Sequence, residues 1–294
     1  MSRARWIQHY LFTRGRTHRY GADRSQVGDL HLPAGDGPHP AIVLIHGGSW
    51  RKRYGRAVMR ALAADLVKRG WAVWNIEYRR VGNGGGWPET FADVAAAIDR
   101  LDGLHPALDL GRVEVLGHSA GGHLALWAAG RSALPTGAPG AIAGRPRVPI
   151  ARAISLAGVC DLAGAYKQWH GGAVRALMGG SPERLRERYD VADPLRRAPL
   201  AMPVLLVHGV LDETVSVALS RSYARAAREA GGDVELVEIE GPAGAHRAFV
   251  DPRGAAWATV VARLGAQAAE ASGRRSGGQE ELRERASSTS SRTP

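Results

Sequence analysis

A serine between two glycines is the first residue of this sequence that could do chemistry. Ser119 lies in "GHSAG", after the apolar run "VEVL" and before the helix-like run "GGHLALWAAG". A G-x-S-x-G pattern between a strand and a helix is typical of a nucleophile elbow. Glycines at 117 and 121 would let two backbone segments approach closely, and a helix N-terminus would favour negative charge beside the serine. On this motif alone, a Gly/Ser turn without chemistry remains the alternative.

A second glycine-rich turn precedes the serine, in "AIVLIHGGSW" (41–50). Glycines there would let backbone N–H groups approach a substrate, as an oxyanion hole requires. We predict that the amides of Gly48 and Ser49 are donors, together with the amide of Ala120 after the serine. His46 is expected to brace this loop rather than to exchange protons. The alternative is an ordinary glycine-rich loop between a strand and a helix.

A carboxylate and a histidine follow later strands. Asp212 follows the buried-type strand of "VLLVHGVLDETV", and His246 lies in "EGPAGAHRAFVDP", after "DVELVEIE". The order Ser119, Asp212, His246 is that of α/β-hydrolase catalytic triads. These three are therefore the predicted catalytic residues. The competing acids and bases, which we interpret as structural, are Asp161, Glu213, His46, His118, His123 and His208.

Short β-rich runs alternate with helical stretches between the two ends of the chain. Strands are predicted at 26–32, 41–46, 71–78, 113–118, 151–158, 203–209 and 233–240, and helices at 56–69, 88–101, 121–130, 217–230 and 252–269. Continuous apolar strands that alternate with helices predict an α/β fold, a doubly wound and mostly parallel sheet with helices on both faces.

The predicted domain organisation has three parts. Residues 1–20 form a basic N-terminal extension, 21–269 an α/β-hydrolase domain, and 270–294 a tail. The tail is rich in Ser, Arg, Glu and Gly and is expected to be disordered. A short cap-like insertion, at about 159–200, is expected to cover the site.

Composition narrows the choice of partners and compartment. The formal charge is +11, but six arginines lie in residues 1–24 and the others are scattered among acidic residues, so nucleic-acid binding is not expected. No apolar run could cross a membrane, and neither a metal cluster nor a dinucleotide motif is found. The lone Cys160 and a start without a secretory h-region favour the cytoplasm. We expect a small-molecule substrate and no cofactor, and homodimer formation is left open.

Four motifs together resemble the α/β-hydrolase family of serine esterases and amidases over roughly residues 20–268. "HGGSW" (46–50), "NIEYRR" (75–80), "GGWPETFADV" (85–94) and "GHSAGGHLALWAA" (117–129) are similar to its kynurenine formamidase-like and small carboxylesterase branch. One departure is "GAHRAF", where Ala245 and Arg247 replace the glycine and the aromatic residue that often flank the histidine in relatives.

The resemblance implies an acyl-enzyme on Ser119 and cleavage of a small carboxylic ester or an arylformamide. A general short-chain carboxylesterase and an aminopeptidase-like enzyme are the alternatives, followed by a non-catalytic binding protein of the same fold. Trp50 is expected to line the acyl pocket and Trp87 to add an aromatic wall. Core packing is the alternative for Trp50.

Overall fold

The computed structural model describes residues 15–168 and 171–264. Its centre is an eight-stranded sheet in the order β1-β2-β4-β3-β5-β6-β7-β8. The strands are β1 (Arg16–Arg19), β2 (Val27–His31), β3 (His39–Ile45), β4 (Ala72–Ile76), β5 (Leu108–His118), β6 (Ile150–Leu156), β7 (Val204–Gly209) and β8 (Val234–Ile239). The pairs β1–β2 and β2–β4 are antiparallel and all others are parallel, so the predicted fold class is confirmed.

The first strand lies where the sequence placed an extension. β1 pairs with β2, and the Thr17 hydroxyl donates a hydrogen bond to Asp29 Oδ1 at 2.7 Å. Residues 16–19 therefore belong to the sheet, although we assigned 1–20 to the extension. The segment "RTHR" is held by backbone pairing at the sheet edge. It has none of the apolar residues that indicate a strand in a sequence. Residues 1–14 and the predicted tail lie outside the described residues.

Helices cover both faces of the sheet. They are α1 (Arg60–Lys68), α2 (Glu89–Asp99), α3 (Ala120–Ala129), α4 (Leu162–Lys167), α5 (Gly171–Met178), α6 (Arg186–Ala192), α7 (Val217–Glu229) and α8 (255–264). Short 3₁₀ segments span Arg56–Met59, Arg131–Ala133, Leu195–Arg197, Gly241–Gly244 and His246–Val250.

Two hydrophobic cores form on opposite faces of the sheet because side chains alternate along each strand. Along β3, Val43 and Ile45 enter the larger core, whereas Ile42 and Leu44 enter the smaller one. Helices α2, α3 and α7 pack in the larger core, and α1 and α8 pack in the smaller one. Every residue of α3 is buried, so the turn that precedes α3 is fixed in the centre of the molecule.

The predicted insertion contains α4, α5 and α6. The buried Asp193 joins the end of the insertion to its start. Its carboxylate accepts hydrogen bonds from the amides of Leu162 at 2.9 Å and Ala163 at 3.1 Å, at the start of α4. The Trp87 amide donates to the Leu177 carbonyl of α5 at 2.7 Å. The insertion is therefore held against the loop that follows β4.

One glycine lets the chain segments after β7 and β8 approach each other. A Cβ atom at Gly209 would lie 1.8 Å from the Gly244 carbonyl oxygen. We expect Gly209→Ala to lower the free energy of unfolding by about 1–3 kcal/mol, because these backbones must separate. Urea denaturation measures the change.

Gly172→Ala is the matched control, because a Cβ at Gly172 meets nothing within 4 Å. Since this glycine lies in α5, its replacement should leave stability unchanged or raise it by at most about 1 kcal/mol. Equal stability of both variants and the parent would contradict the steric interpretation.

Candidate active site

Ser119 lies at a sharp turn between β5 and α3. Its backbone has φ +57° and ψ −121°, a conformation that non-glycine residues rarely adopt. A Cβ at Gly117 would lie 2.0 Å from the Gly121 carbonyl oxygen, and one at Gly121 would lie 2.0 Å from the Ile45 carbonyl oxygen. Both glycines are thus required sterically, as the sequence predicts.

The loop after β3 lies directly against the serine. A Cβ at Gly47 would be 2.9 Å from the Ser119 Cβ, and Gly48 and Ser49 have φ values of +116° and +51°. Gly48 and Ser49 line the same cavity as Ser119. Ala120 is the first residue of α3, and amides in the first turn of a helix have no acceptor within it. The geometry is compatible with the predicted oxyanion donors.

His46 holds this loop in place through hydrogen bonds of its ring. Its Nδ1 donates a hydrogen bond to the Gly47 carbonyl at 2.7 Å, and its Nε2 shares a hydrogen bond with Glu77 Oε1 at 2.8 Å. The two hydrogen bonds together fix the orientation of the buried ring. A peptide is planar and trans, so the Gly48 N–H points away from the Gly47 carbonyl that His46 holds. The pair thereby fixes the direction of a predicted oxyanion donor.

Glu77 was missed in the sequence. It follows β4 and accepts further hydrogen bonds from the amides of Tyr78 and Arg56, both at 3.1 Å. Arg80 Nη1 lies 3.2 Å from Glu77 Oε1. Burial alone would raise the pKa of Glu77, but the bond to His46 and the charges of His46 and Arg80 lower it below its ordinary value. Glu77 is thus a carboxylate that joins several segments of the site.

Asp212 and His246 form a hydrogen-bonded pair. His246 Nδ1 donates to Asp212 Oδ2 at 2.7 Å, and Asp212 Oδ1 accepts from the amides of Thr214 at 2.8 Å and Val215 at 3.0 Å. Burial opposes ionisation, but these hydrogen bonds and His246 lower the pKa of Asp212. Since Nδ1 is the donor in this pair, Nε2 of a neutral His246 keeps its lone pair.

Ser119 and His246 line one cavity of about 320 Å³. Within the described ranges, Ser119 Oγ and His246 Nε2 form no hydrogen bond. In ligand-free enzymes such bonds are often long and shorten when substrate binds. The three predicted triad residues are therefore brought together at one site.

The rival acids occupy other positions. Asp161 begins α4, where its carboxylate accepts a hydrogen bond from the Gly164 amide at 2.7 Å. Glu213 is exposed to solvent. Neither carboxylate bonds to His246, which supports the choice of Asp212.

The rival histidines make structural hydrogen bonds. His123 Nε2 donates to the Ala192 carbonyl at 2.9 Å, and burial lowers the pKa of His123 to about 4. His208 lies between the Ser220 hydroxyl and the Val215 carbonyl.

His118 ties the serine turn to the histidine segment. Its Nε2 donates to the His246 carbonyl at 2.9 Å, and the two ring centroids are 4.7 Å apart. Burial lowers the pKa of His118 to about 3, so the ring is neutral. His118, the residue before Ser119, thus holds the backbone of His246 in place.

The two tryptophans predicted to contact substrate do not line the cavity at Ser119. Trp50 is 2% exposed and packs edge-on against His123 in the larger core. Core packing is therefore the outcome for this residue, whose backbone has a φ of +55°. Trp87 is half-buried and packs against Phe91, with its ring centroid 5.2 Å away.

Neither a metal-binding cluster nor a membrane-spanning helix is found in the described residues. In residues 15–168 and 171–264, no group of three or more His, Cys, Asp or Glu side chains is arranged to hold a metal ion. Across the same ranges, every helix is too short or too polar to cross a membrane.

A mostly parallel sheet, with a serine turn after a central strand and an Asp–His pair after later strands, is the architecture of the α/β hydrolases. The chain belongs to the BD-FAE family, whose model matches residues 29–226. His246 lies beyond the matched segment.

The sequence identity between the chain and individual relatives is low. The chain is 27% identical over 234 residues to the isoprenylcysteine alpha-carbonyl methylesterase of Arabidopsis thaliana, covering 76% of this chain and 54% of that protein. It is 29% identical over 223 residues to esterase LipQ of Mycobacterium tuberculosis, covering 71% and 50%. It thus spans about half the length of these relatives.

The fold is also similar to that of a solved structure, esterase B from Lactobacillus rhamnosis. The TM-score is 0.74, with 19% identity and coverage of 94% and 95% of the two chains. At this identity the likeness is one of fold.

The buried His46–Glu77 pair generates a pH-dependent prediction. We expect Glu77→Gln to lower the free energy of unfolding by about 3 kcal/mol near neutral pH, because it leaves the buried Arg80 guanidinium without its counter-charge. The pKa of Glu77 is lowered from 4.5, so its contribution is present above that value and lost as pH falls through the folded-state pKa. The difference between parent and variant should therefore stay constant from about pH 7 to about pH 5 and shrink as the pH falls below 4.5.

Urea denaturation at several pH values measures this difference. Glu187→Gln, at an exposed residue, is the control and should change stability by less than about 0.5 kcal/mol at each pH. A difference for Glu77→Gln that stays constant with pH would show that the carboxylate charge is not what stabilises the loop.

Proposed function

We propose that this chain is a serine hydrolase that cleaves a small carboxylic ester through an acyl-enzyme on Ser119. The observation that carries the proposal is that Ser119, the glycine loop and the Asp212-oriented His246 line one cavity of about 320 Å³. Membership of the BD-FAE family and two relatives named as esterases support ester chemistry.

In the proposed reaction, His246 Nε2 takes the proton of Ser119 Oγ as this oxygen attacks the ester carbonyl. The Asp212 carboxylate stabilises the imidazolium that forms. The carbon–oxygen bond to the alcohol then breaks, and His246 returns the proton to the departing alkoxide. Water, deprotonated by His246, attacks the acyl-enzyme and releases the carboxylic acid and free Ser119.

The tetrahedral intermediate needs donors for its oxyanion. We assign this role to the amides of Gly48, Ser49 and Ala120. Support for it comes from the helix N-terminus at Ala120 and from the His46 contact that directs the Gly48 amide.

An arylformamide of the N-formylkynurenine type is the second candidate substrate. The sequence motifs at 46–50, 75–80, 85–94 and 117–129 support it by resemblance. The small cavity supports it as well, since formyl is the smallest acyl group.

We expect Ser119→Ala to lower kcat for 4-nitrophenyl acetate by about 10⁴-fold or more and to abolish labelling by a fluorophosphonate. The reason is that both reactions need the Ser119 oxygen as nucleophile. Ser132→Ala, at an exposed serine away from the site, is the control and should label and turn over normally. Substantial labelling or turnover by Ser119→Ala with an intact fold would disprove the assignment.

A direct comparison of substrates separates the two candidates. Hydrolysis of 4-nitrophenyl acetate and N-formylkynurenine is followed spectroscopically at matched enzyme concentration. We expect the larger kcat/KM for the ester. A larger kcat/KM for the formamide would instead establish the second candidate.

A further inference from the structure

A large basic cavity adjoins the Ser119 cavity. Its volume is about 670 Å³, and three consecutive cations, Arg51, Lys52 and Arg53, line it. The insertion contributes Gly172 and Ala173 to the wall. The residues shared by the two cavities are Gly48, Ser49, Tyr54 and Thr214. A molecule that reaches Ser119 can therefore extend past the oxyanion loop into the basic cavity.

The three cations have no acidic partner in the described part of the chain. Arg51, Lys52 and Arg53 take part in no ion pair there, and the Arg53 guanidinium lies over the Tyr54 ring, 5.7 Å from its centroid. Neither cavity has an acidic residue in its described lining. A concave surface lined by one sign of charge attracts ligands of the opposite sign.

Backbone hydrogen bonds hold the basic segment in place. The Arg51 amide donates to the Gly48 carbonyl at 3.0 Å, and the Lys52 amide donates to the Val81 carbonyl at 3.0 Å. Arg80 Nη1 donates to the Tyr54 carbonyl. The segment is thus anchored to the oxyanion loop at one end and to the loop after β4 along its length.

A fourth cation lies in the Ser119 cavity. Arg247 lines it from the position after His246. The nearby carboxylates are already paired, Asp212 with His246 and Glu77 with His46. In the described lining of the two cavities, the charged side chains besides His are therefore all cations.

We propose that the substrate is an ester whose alcohol portion carries a carboxylate or a phosphate, and that this anionic group binds Arg51, Lys52 and Arg53. The inference rests on the proposed ester hydrolysis at Ser119. The smaller cavity, with Val58 and Val250 in its wall, accommodates a small acyl group. The larger basic cavity then receives the alcohol portion.

The test compares matched acetate esters. 4-Acetoxybenzoate and 4-acetoxyphenyl phosphate carry the anion, 4-acetoxybenzamide is the neutral analogue, and each rate is divided by that of uncatalysed hydrolysis. We expect kcat/KM to be about tenfold or more higher for at least one anionic ester at low salt. This preference should decline toward unity at about 0.5 M NaCl, because salt screens exposed charges. The two anionic esters distinguish carboxylate from phosphate recognition.

The variant Arg51→Gln/Lys52→Gln/Arg53→Gln should lose the preference at low salt. Arg145→Gln/Arg184→Gln/Arg225→Gln removes the same net charge from exposed arginines elsewhere and should keep it. This control separates the effect of the charges in the cavity from the effect of the overall charge of the protein.

Two failures can be told apart. If the parent protein hydrolyses no acetate ester and is not labelled by a fluorophosphonate, the proposed function itself fails. If it hydrolyses all three esters with equal normalised kcat/KM, or if both triple variants behave alike, ester hydrolysis stands and the anion site is overturned. Loss of preference in the cavity variant alone, with 4-acetoxybenzamide still hydrolysed, supports the anion site.

Discussion

The buried hydrogen bond between His46 and Glu77 is the interaction on which the geometry of the site depends. The two residues follow Ile45 and Ile76, which pair across the parallel strands β3 and β4. Sheet register therefore places an imidazole and a carboxylate side by side at the ends of neighbouring strands. Through this pair, the loop against Ser119 is joined to the amide of Arg56 and to Arg80. A single buried contact thus links the candidate oxyanion hole to the segment that carries the basic cavity.

Charge is distributed unevenly around the candidate site. The carboxylates near it are held by partners: Asp212 by His246, Glu77 by His46, and Asp29 by Arg56. The cations of the 51–53 segment have no such partner in the described ranges. The acidic side chains therefore join segments of the protein, whereas the basic ones at 51–53 are free of such contacts in the described ranges.

Local sequence patterns were enough to predict the sheet, the serine turn and the Asp–His pair. Ser119, Asp212 and His246 each follow a strand with a strong apolar pattern. Their places in the sequence therefore implied that they lie at the carboxyl ends of the strands. β1 and Glu77 could not be predicted in this way, and His118 was interpreted as structural without its partner being known. Glu77 and His118 bind partners distant in sequence, His46 and His246. Trp50 was misplaced because its burial against His123 depends on tertiary packing, which its position beside the glycine loop does not indicate.

The His118–His246 hydrogen bond joins a central strand of the sheet to the segment that follows its last strand. Ser119 is fixed after β5 in the middle of the sheet, whereas His246 follows β8 at its edge. Asp212 follows β7, so an opening between β6 and β7 would carry the predicted acid and base away from Ser119 together. At the site itself, the His118–His246 hydrogen bond is the contact that such an opening must break.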